Sequence, residues 1–221
     1  MTEPRMREIR SFVRREGRMT PSQKRALEEL WPKFGFEKGD AFARAAPLVM
    51  EIGFGNGEHL LARAQAEPDR NFLGVEVHRP GAGRVMNRAQ AAGLANLRVS
   101  CEDAVEVLRD WLPERCLAEL VVYFPDPWHK KRHHKRRLVS ASFAALAASR
   151  LAPGGVLKLA TDWADYARQM REVLDAEPLL SGGVVPRPAE RPLTRFENRG
   201  LKLGHEVFDL VYRRKSVGKR E

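Results

Sequence analysis

Four carboxylates stand where short apolar runs end. Glu51 precedes Gly53 by two residues in VMEIGFGNGEH, and Glu76 closes NFLGVE. Asp103 comes just after NLRVSC, and Asp126 sits between Pro125 and Pro127 in YFPDPW. Gly53, Gly55 and Gly57 permit a tight turn and close approach of backbone to a ligand. Their spacing departs from the dinucleotide pattern G-x-G-x-x-G, because Glu58 occupies the third glycine position. An acid as near as Glu51 repels a pyrophosphate and attracts an ammonium or sulfonium. S-adenosylmethionine carries both cations and no phosphate. Glu76, 19 residues after Gly57, is suited to accept from ribose hydroxyls. Asp103 is suited either to cap a helix starting at Ala104 or, with Ala104, to meet an adenine amino group.

Asp126 has a different setting. Two prolines restrict its backbone and remove donors, as a fixed catalytic carboxylate requires. A surface turn satisfies the same pattern. The next nine residues, His129 to Arg137, hold six cations and three histidines. Such a run suits a phosphate backbone, conferring affinity and salt dependence rather than base choice. Zinc held by His129 and His133 is disfavoured by the cations around them and by the lack of a nearby cysteine.

Elements that could position these groups follow from the hydropathy pattern. Apolar runs at 47–53, 71–77, 96–101, 118–124 and 155–161 read as buried strands. Amphipathic stretches at 57–67, 83–93, 104–111, 140–151 and 165–177 read as the helices between them. The expected fold is α/β: a doubly wound, mostly parallel Rossmann-like sheet with helices on both faces. HEVFDLVYRR (205–214) alternates with period two and has no helix after it, so it is expected as an antiparallel C-terminal edge strand, paired with a short strand near 184–186. Thr20, Pro21 and Gln23 form a helix-start signature. Residues 1–40 are expected to be a basic arm with a short helix, partly disordered without RNA. Residues 41–221 are expected to be the catalytic domain.

Composition narrows the class. The chain has 221 residues with 39 basic against 29 acidic, and the excess is clustered at the N-terminus, at 130–137 and from Arg195 to Arg220. Clustered cations favour a polyanionic partner. No run approaches a membrane span. The N-terminus lacks the apolar segment of a secretory signal. Two cysteines make neither a disulfide framework nor a metal spacing, so a cytoplasmic location is expected.

FPDPWHKKRHHKRR, with VMEIGFGNG before it and TDW (161–163) and TRFENRG (194–200) after it, resembles the bacterial tRNA (guanine-N7)-methyltransferases. The resemblance spans about Arg10 to Arg214, with no departure at the motif positions. It implies S-adenosylmethionine at Glu51, Glu76 and Asp103, and Asp126 at the active site. It implies substrate contacts at Lys130, Asp162, Thr194, Arg195, Phe196 and Glu197. It implies RNA contacts along Arg132, His133, His134, Lys135, Arg136 and Arg137. The implied product is 7-methylguanosine at position 46 of the tRNA variable loop. A monomer and a homodimer both remain open, and neither a metal nor a membrane is implied.

The chemistry itself restricts Asp126. Guanine N7 has a free lone pair and loses no proton on methylation, so a general base is not required. Orienting the guanine, stabilising the cationic ring, or contacting the cofactor near its sulfonium remain as roles. Two other classes compete. A methyltransferase for small molecules or proteins explains the acids and leaves the cations unused. A non-catalytic RNA-binding protein explains the cations and leaves the acids idle.

Overall fold

The structure, a computed structural model, describes residues 10–12, 17–189, 191, 197 and 206–216. The first helix, α1 (Pro21–Glu29), starts as its sequence demands. Thr20 Oγ1 accepts from Gln23 N at 3.3 Å, and Gln23 Oε1 accepts from Thr20 N at 2.8 Å. A short helix, α2 (Trp31–Phe34), follows. Alternation then begins with β1 (Leu48–Ile52), α3 (Glu58–Ala66), β2 (Asn71–Val75), α4 (Arg79–Ala91) and β3 (Leu97–Ser100). Next come α5 (Ala104–Glu106), a π-helical turn (Val107–Trp111), β4 (Leu117–Tyr123) and a 3-10 segment (Lys131–Arg136). The rest are α6 (Ala141–Arg150), β5 (Leu151–Thr161), α7 (Ala164–Asp175), β6 (Leu180–Val185) and β7 (Phe208–Arg214).

Among the described residues the strands form one sheet of order β3-β2-β1-β4-β5-β7-β6. The first five in that order are parallel, and β7 is antiparallel to both β5 and β6. The expected antiparallel pairing is present, with β6 rather than β7 outermost. Side chains of the two faces fill separate apolar layers. One contains Met50, Leu120, Phe143 and Tyr166, and the other Leu60, Phe72, Val85 and Val121. The chain reverses its winding between β1 and β4, which makes their carboxyl ends the crevice where such sheets bind ligands.

The expected boundary at residue 40 cuts through packed structure. Ala26, Leu27, Phe34 and Phe36 are buried, and Phe36 N donates to Val99 O at 2.9 Å. Helix α1 approaches α4 so closely that a Cβ on Gly83 would meet Gln23 O at 2.5 Å. Residues 20–36 therefore belong to the body of the domain.

Candidate active site

The carboxyl ends of β1 to β4 enclose a cleft of about 800 Å³, lined among others by Gly53, Glu76, Asp103, Ala104, Asp126 and Lys130. Of the glycine turn, Gly53 lines it. Gly53, Gly55 and Gly57 all adopt left-handed φ, at +74°, +55° and +72°. A Cβ added to Gly53 or Gly55 would meet nothing within 4 Å, so the backbone there is open to a ligand. Gly57 differs, since its Cβ would lie 2.1 Å from Val85 Cγ2. Gly57→Ala is therefore expected to combine left-handed strain with overpacking, costing about 2–5 kcal/mol in total. Urea denaturation checks this, and an unchanged midpoint would contradict it.

Glu76 braces that turn. Its Oε2 accepts from Gly55 N at 3.0 Å and its Oε1 from His78 N at 2.9 Å. A carboxylate has about four acceptor sites, so capacity for ribose hydroxyls remains. Asp103 caps α5, its Oδ1 accepting from Val105 N at 2.9 Å, and the residue also lines the cleft. Its neighbour Glu102 lines the cleft too and was missed, although the doubled acid in CED marks the place.

Glu51 is not brought to the cleft wall. Strand alternation points Ile52 to one face and Glu51 to the other. There Glu51 is 5% exposed, with Oε2 2.8 Å from His59 Nδ1. The residue expected to meet a cationic ligand is thus paired with His59 here.

Asp126 is exposed at the cleft, between two strained residues. Phe124 and Trp128 adopt φ of +52° and +47°, two of the three non-glycine residues with left-handed φ among those described. Each such residue costs on the order of 1–3 kcal/mol and persists only where its surroundings over-determine it. Trp128 is held by its Nε1 donating to Ser11 O at 3.0 Å and by the Arg136 guanidinium 4.0 Å from its ring. Arg136 in turn donates to Arg10 O and Phe12 O, both at 3.2 Å. Ser11 and Phe12 thus reach the cleft wall, which no periodic signal in the sequence indicates.

The cationic run divides into two groups. Lys130, Lys131, Arg132 and Lys135 are exposed. Arg137 is 4% exposed, which corrects its expected role as an RNA contact. Its guanidinium donates to Pro127 O at 2.8 Å, Gln169 Oε1 at 2.5 Å and Asp165 Oδ2 at 2.8 Å, and lies over the Tyr166 ring. Arg137 therefore ties the Asp126 loop to α7. His134 Nε2 lies 3.1 Å from Arg137 Nη2, as an acceptor does. His133 lines the cleft, and partial desolvation and the surrounding cations hold it below its ordinary value. Among the described residues no group of three His, Cys, Asp or Glu could hold a metal ion.

The remaining expected contacts are dispersed. Asp162 is half-buried outside the cleft lining, and its neighbour Trp163 occupies the N-cap position of α7. Trp163 packs on His129 of the cleft wall, ring centroids 4.2 Å apart. Glu197 is buried in an ion pair with Arg191. Thr194, Arg195 and Phe196 lie outside the described residues.

No helix among the described residues is long and apolar enough to cross a membrane. The Methyltransf_4 family model, described as "Putative methyltransferase", matches residues 45–210. A tRNA (guanine-N(7)-)-methyltransferase of Methylococcus capsulatus is 57% identical over 219 residues, covering 94% of this chain and 95% of that protein. One of Alkalilimnicola ehrlichii is 53% identical, covering 95% and 94%. Among solved structures, the 16S rRNA methyltransferase KamB aligns with a TM-score of 0.59 at 17% identity, over 95% of this chain and all of that one. A mutant 16S rRNA (adenine(1408)-N(1))-methyltransferase with cosubstrate SAM, from Catenulisporales acidiphilia, aligns at 0.57 and 16% identity, over 95% and 98%. The structural neighbours establish the fold, and the sequence relatives, matched over nearly their full length, establish the rest: the chain belongs to the tRNA (guanine-N(7)-)-methyltransferase family.

Proposed function

We propose that the protein transfers the methyl group of S-adenosylmethionine to N7 of guanosine 46 in the variable loop of tRNA. The observation that carries this reading is the shared cleft: Gly53 of the glycine turn, Glu76 and Asp103 line one wall, and Asp126 on its strained loop lines another. The first wall suits a nucleoside without phosphates, since it presents carboxylates to hydroxyl and amino groups. When bound, S-adenosylmethionine supplies a methyl group activated by its sulfonium. Asp126 then accepts from the guanine N1–H and 2-amino group, which orients N7 and offsets the positive charge the ring acquires. His133 lines the same wall, where desolvation and the surrounding cations disfavour its protonation.

Exposed Lys131, Arg132 and Lys135 would follow the flanking phosphates. Replacing one of them by alanine is expected to weaken tRNA binding and to reduce the slope of log K against log salt by roughly 0.7–0.9. Titrations at several salt concentrations measure it, and a flat salt response in the unsubstituted protein would exclude phosphate tracking. The activity is tested by incubating the protein with labelled S-adenosylmethionine and unmodified tRNA, followed by scission at 7-methylguanosine. Label at position 46 supports the proposal. Cofactor binding without transfer to tRNA would point to another substrate, and transfer elsewhere in tRNA would correct the position.

A further inference from the structure

Arg191 heads the fully buried side chains by volume, although it carries a full charge. Its Nη1 and Nη2 donate to Glu197 Oε2 and Oε1 at 2.6 and 2.7 Å, and Nη2 also reaches Asp209 Oδ2 at 3.0 Å. Arg187 approaches Glu197 Oε1 at 3.4 Å, so two cations face two carboxylates. Burial pushes the Asp209 carboxyl up, and the Arg191 hydrogen bonds are the strongest force opposing it. An apolar cluster of equal volume would be as stable or more so. What it would lack is direction. A guanidinium is planar and forked, so its edge grips carboxylates while its face lies on aromatic rings.

The rings in question belong to Tyr123 and Phe124, with centroids 5.7 and 5.6 Å from the Arg191 guanidinium carbon. Phe124 is the strained residue before Pro125 and Asp126. On the other side of Asp126, strained Trp128 carries the Arg136 guanidinium at 4.0 Å. An arginine thus packs on each aromatic that brackets the Asp126 loop. Arg191 adds a second link, because Glu197 lies in the segment where the family resemblance implies substrate contacts.

We infer that Arg191 is a positioning residue, which holds the Tyr123–Phe124 strand end in its strained form and so aims Asp126. Glu197 then acts through Arg191 rather than by hydrogen bonding to a base. The inference rests on the proposed methyl transfer to tRNA.

The test compares Arg191→Gln and Arg191→Lys with the unsubstituted protein in kcat, KM for tRNA, S-adenosylmethionine affinity by calorimetry, and thermal unfolding. A shift of about an ångström at a reacting centre costs up to ~100-fold, so kcat of Arg191→Gln is expected to fall ~10–100-fold. Cofactor affinity and KM are expected to stay within about threefold, since the glycine turn and the exposed cations do not touch Arg191. Arg191→Lys keeps the charge without the fork, and is expected to recover part of kcat. A folded Arg191→Gln with normal kcat would overturn the inference alone. So would equal losses in kcat and cofactor affinity, or two variants that both fail to fold, because Arg191 would then be general scaffold. No methyl transfer by the unsubstituted protein would remove the proposed function and this inference with it.

Discussion

Asp126→Asn is expected to lower kcat by roughly 100-fold while the protein stays folded and still binds its cofactor. Asparagine keeps the shape and one acceptor oxygen. It loses the negative charge that opposes the cationic product ring, and it can present a donor to the guanine donors. Asp126→Ala removes both functions and is expected to lose a further factor of about ten. Folding should be spared, because Asp126 is exposed and the loop conformation rests on Phe124, Trp128 and Arg137 instead. Single-turnover measurements of methyl transfer distinguish the roles. If Asp126→Asn were fully active and Asp126→Ala inactive, orientation would be the main role and charge stabilisation would be excluded. If both were active, Asp126 would have no essential part.

Glu119→Ala is expected to destabilise the fold by about 3–5 kcal/mol, because it removes the buried carboxylate at the centre of a charge cluster. Glu119 is 5% exposed on β4. It pairs with Arg63 of α3 through both oxygens, with Lys158 of β5 at 3.2 Å and with Arg70 at 3.6 Å. Arg63 and Arg70 keep Glu67 as a partner, at 2.7 and 3.4 Å, but the carboxylate shared by all three cations is gone. For a chain of this size each kcal/mol shifts Tm by roughly 2–4 °C, so a loss on the order of 10 °C is expected in thermal unfolding. A loss under about 1 kcal/mol would show that water or Glu67 satisfies the cations. The cluster also sets part of the acid sensitivity. Hydrogen bonds from Arg63 hold Glu67 below its ordinary 4.5. Its contribution is complete above that ordinary value and is lost as pH falls through the lowered one.

The first four strands were legible to within two residues, because β-branched and aliphatic runs buried on both faces leave an unambiguous pattern. The fifth begins at Leu151, four residues earlier than expected, since Pro153, Gly154 and Gly155 read as a turn but are carried within the strand. Which antiparallel strand lies outermost depends on pairing between distant segments, and no local pattern encodes that. The glycine turn, Glu76, Asp103 and Asp126 were readable as a constellation because strand order alone places them at one edge. The side of Glu51 was in principle readable too, since Ile52 belongs to the apolar layer and its neighbour must face the opposite way. Arg137 was not, because a run of cations looks uniform until the 3-10 segment turns one of them inward. The Arg191 cluster joins positions 191, 197 and 209, whose proximity exists only in the folded chain.

The late insertion of β7 between β5 and β6 has a consequence for how the enzyme comes into being. While the chain emerges from a ribosome, β5 has no partner on that side and β6 has none at all until Phe208–Arg214 appears. Until then a nascent chain presents an unpaired parallel strand to its surroundings, the kind of edge that invites aggregation. Asp209 arrives on the same strand and completes the ion cluster beneath Tyr123 and Phe124. The ion cluster packed against the strained loop of Asp126 is thus complete only once β7 has joined the sheet.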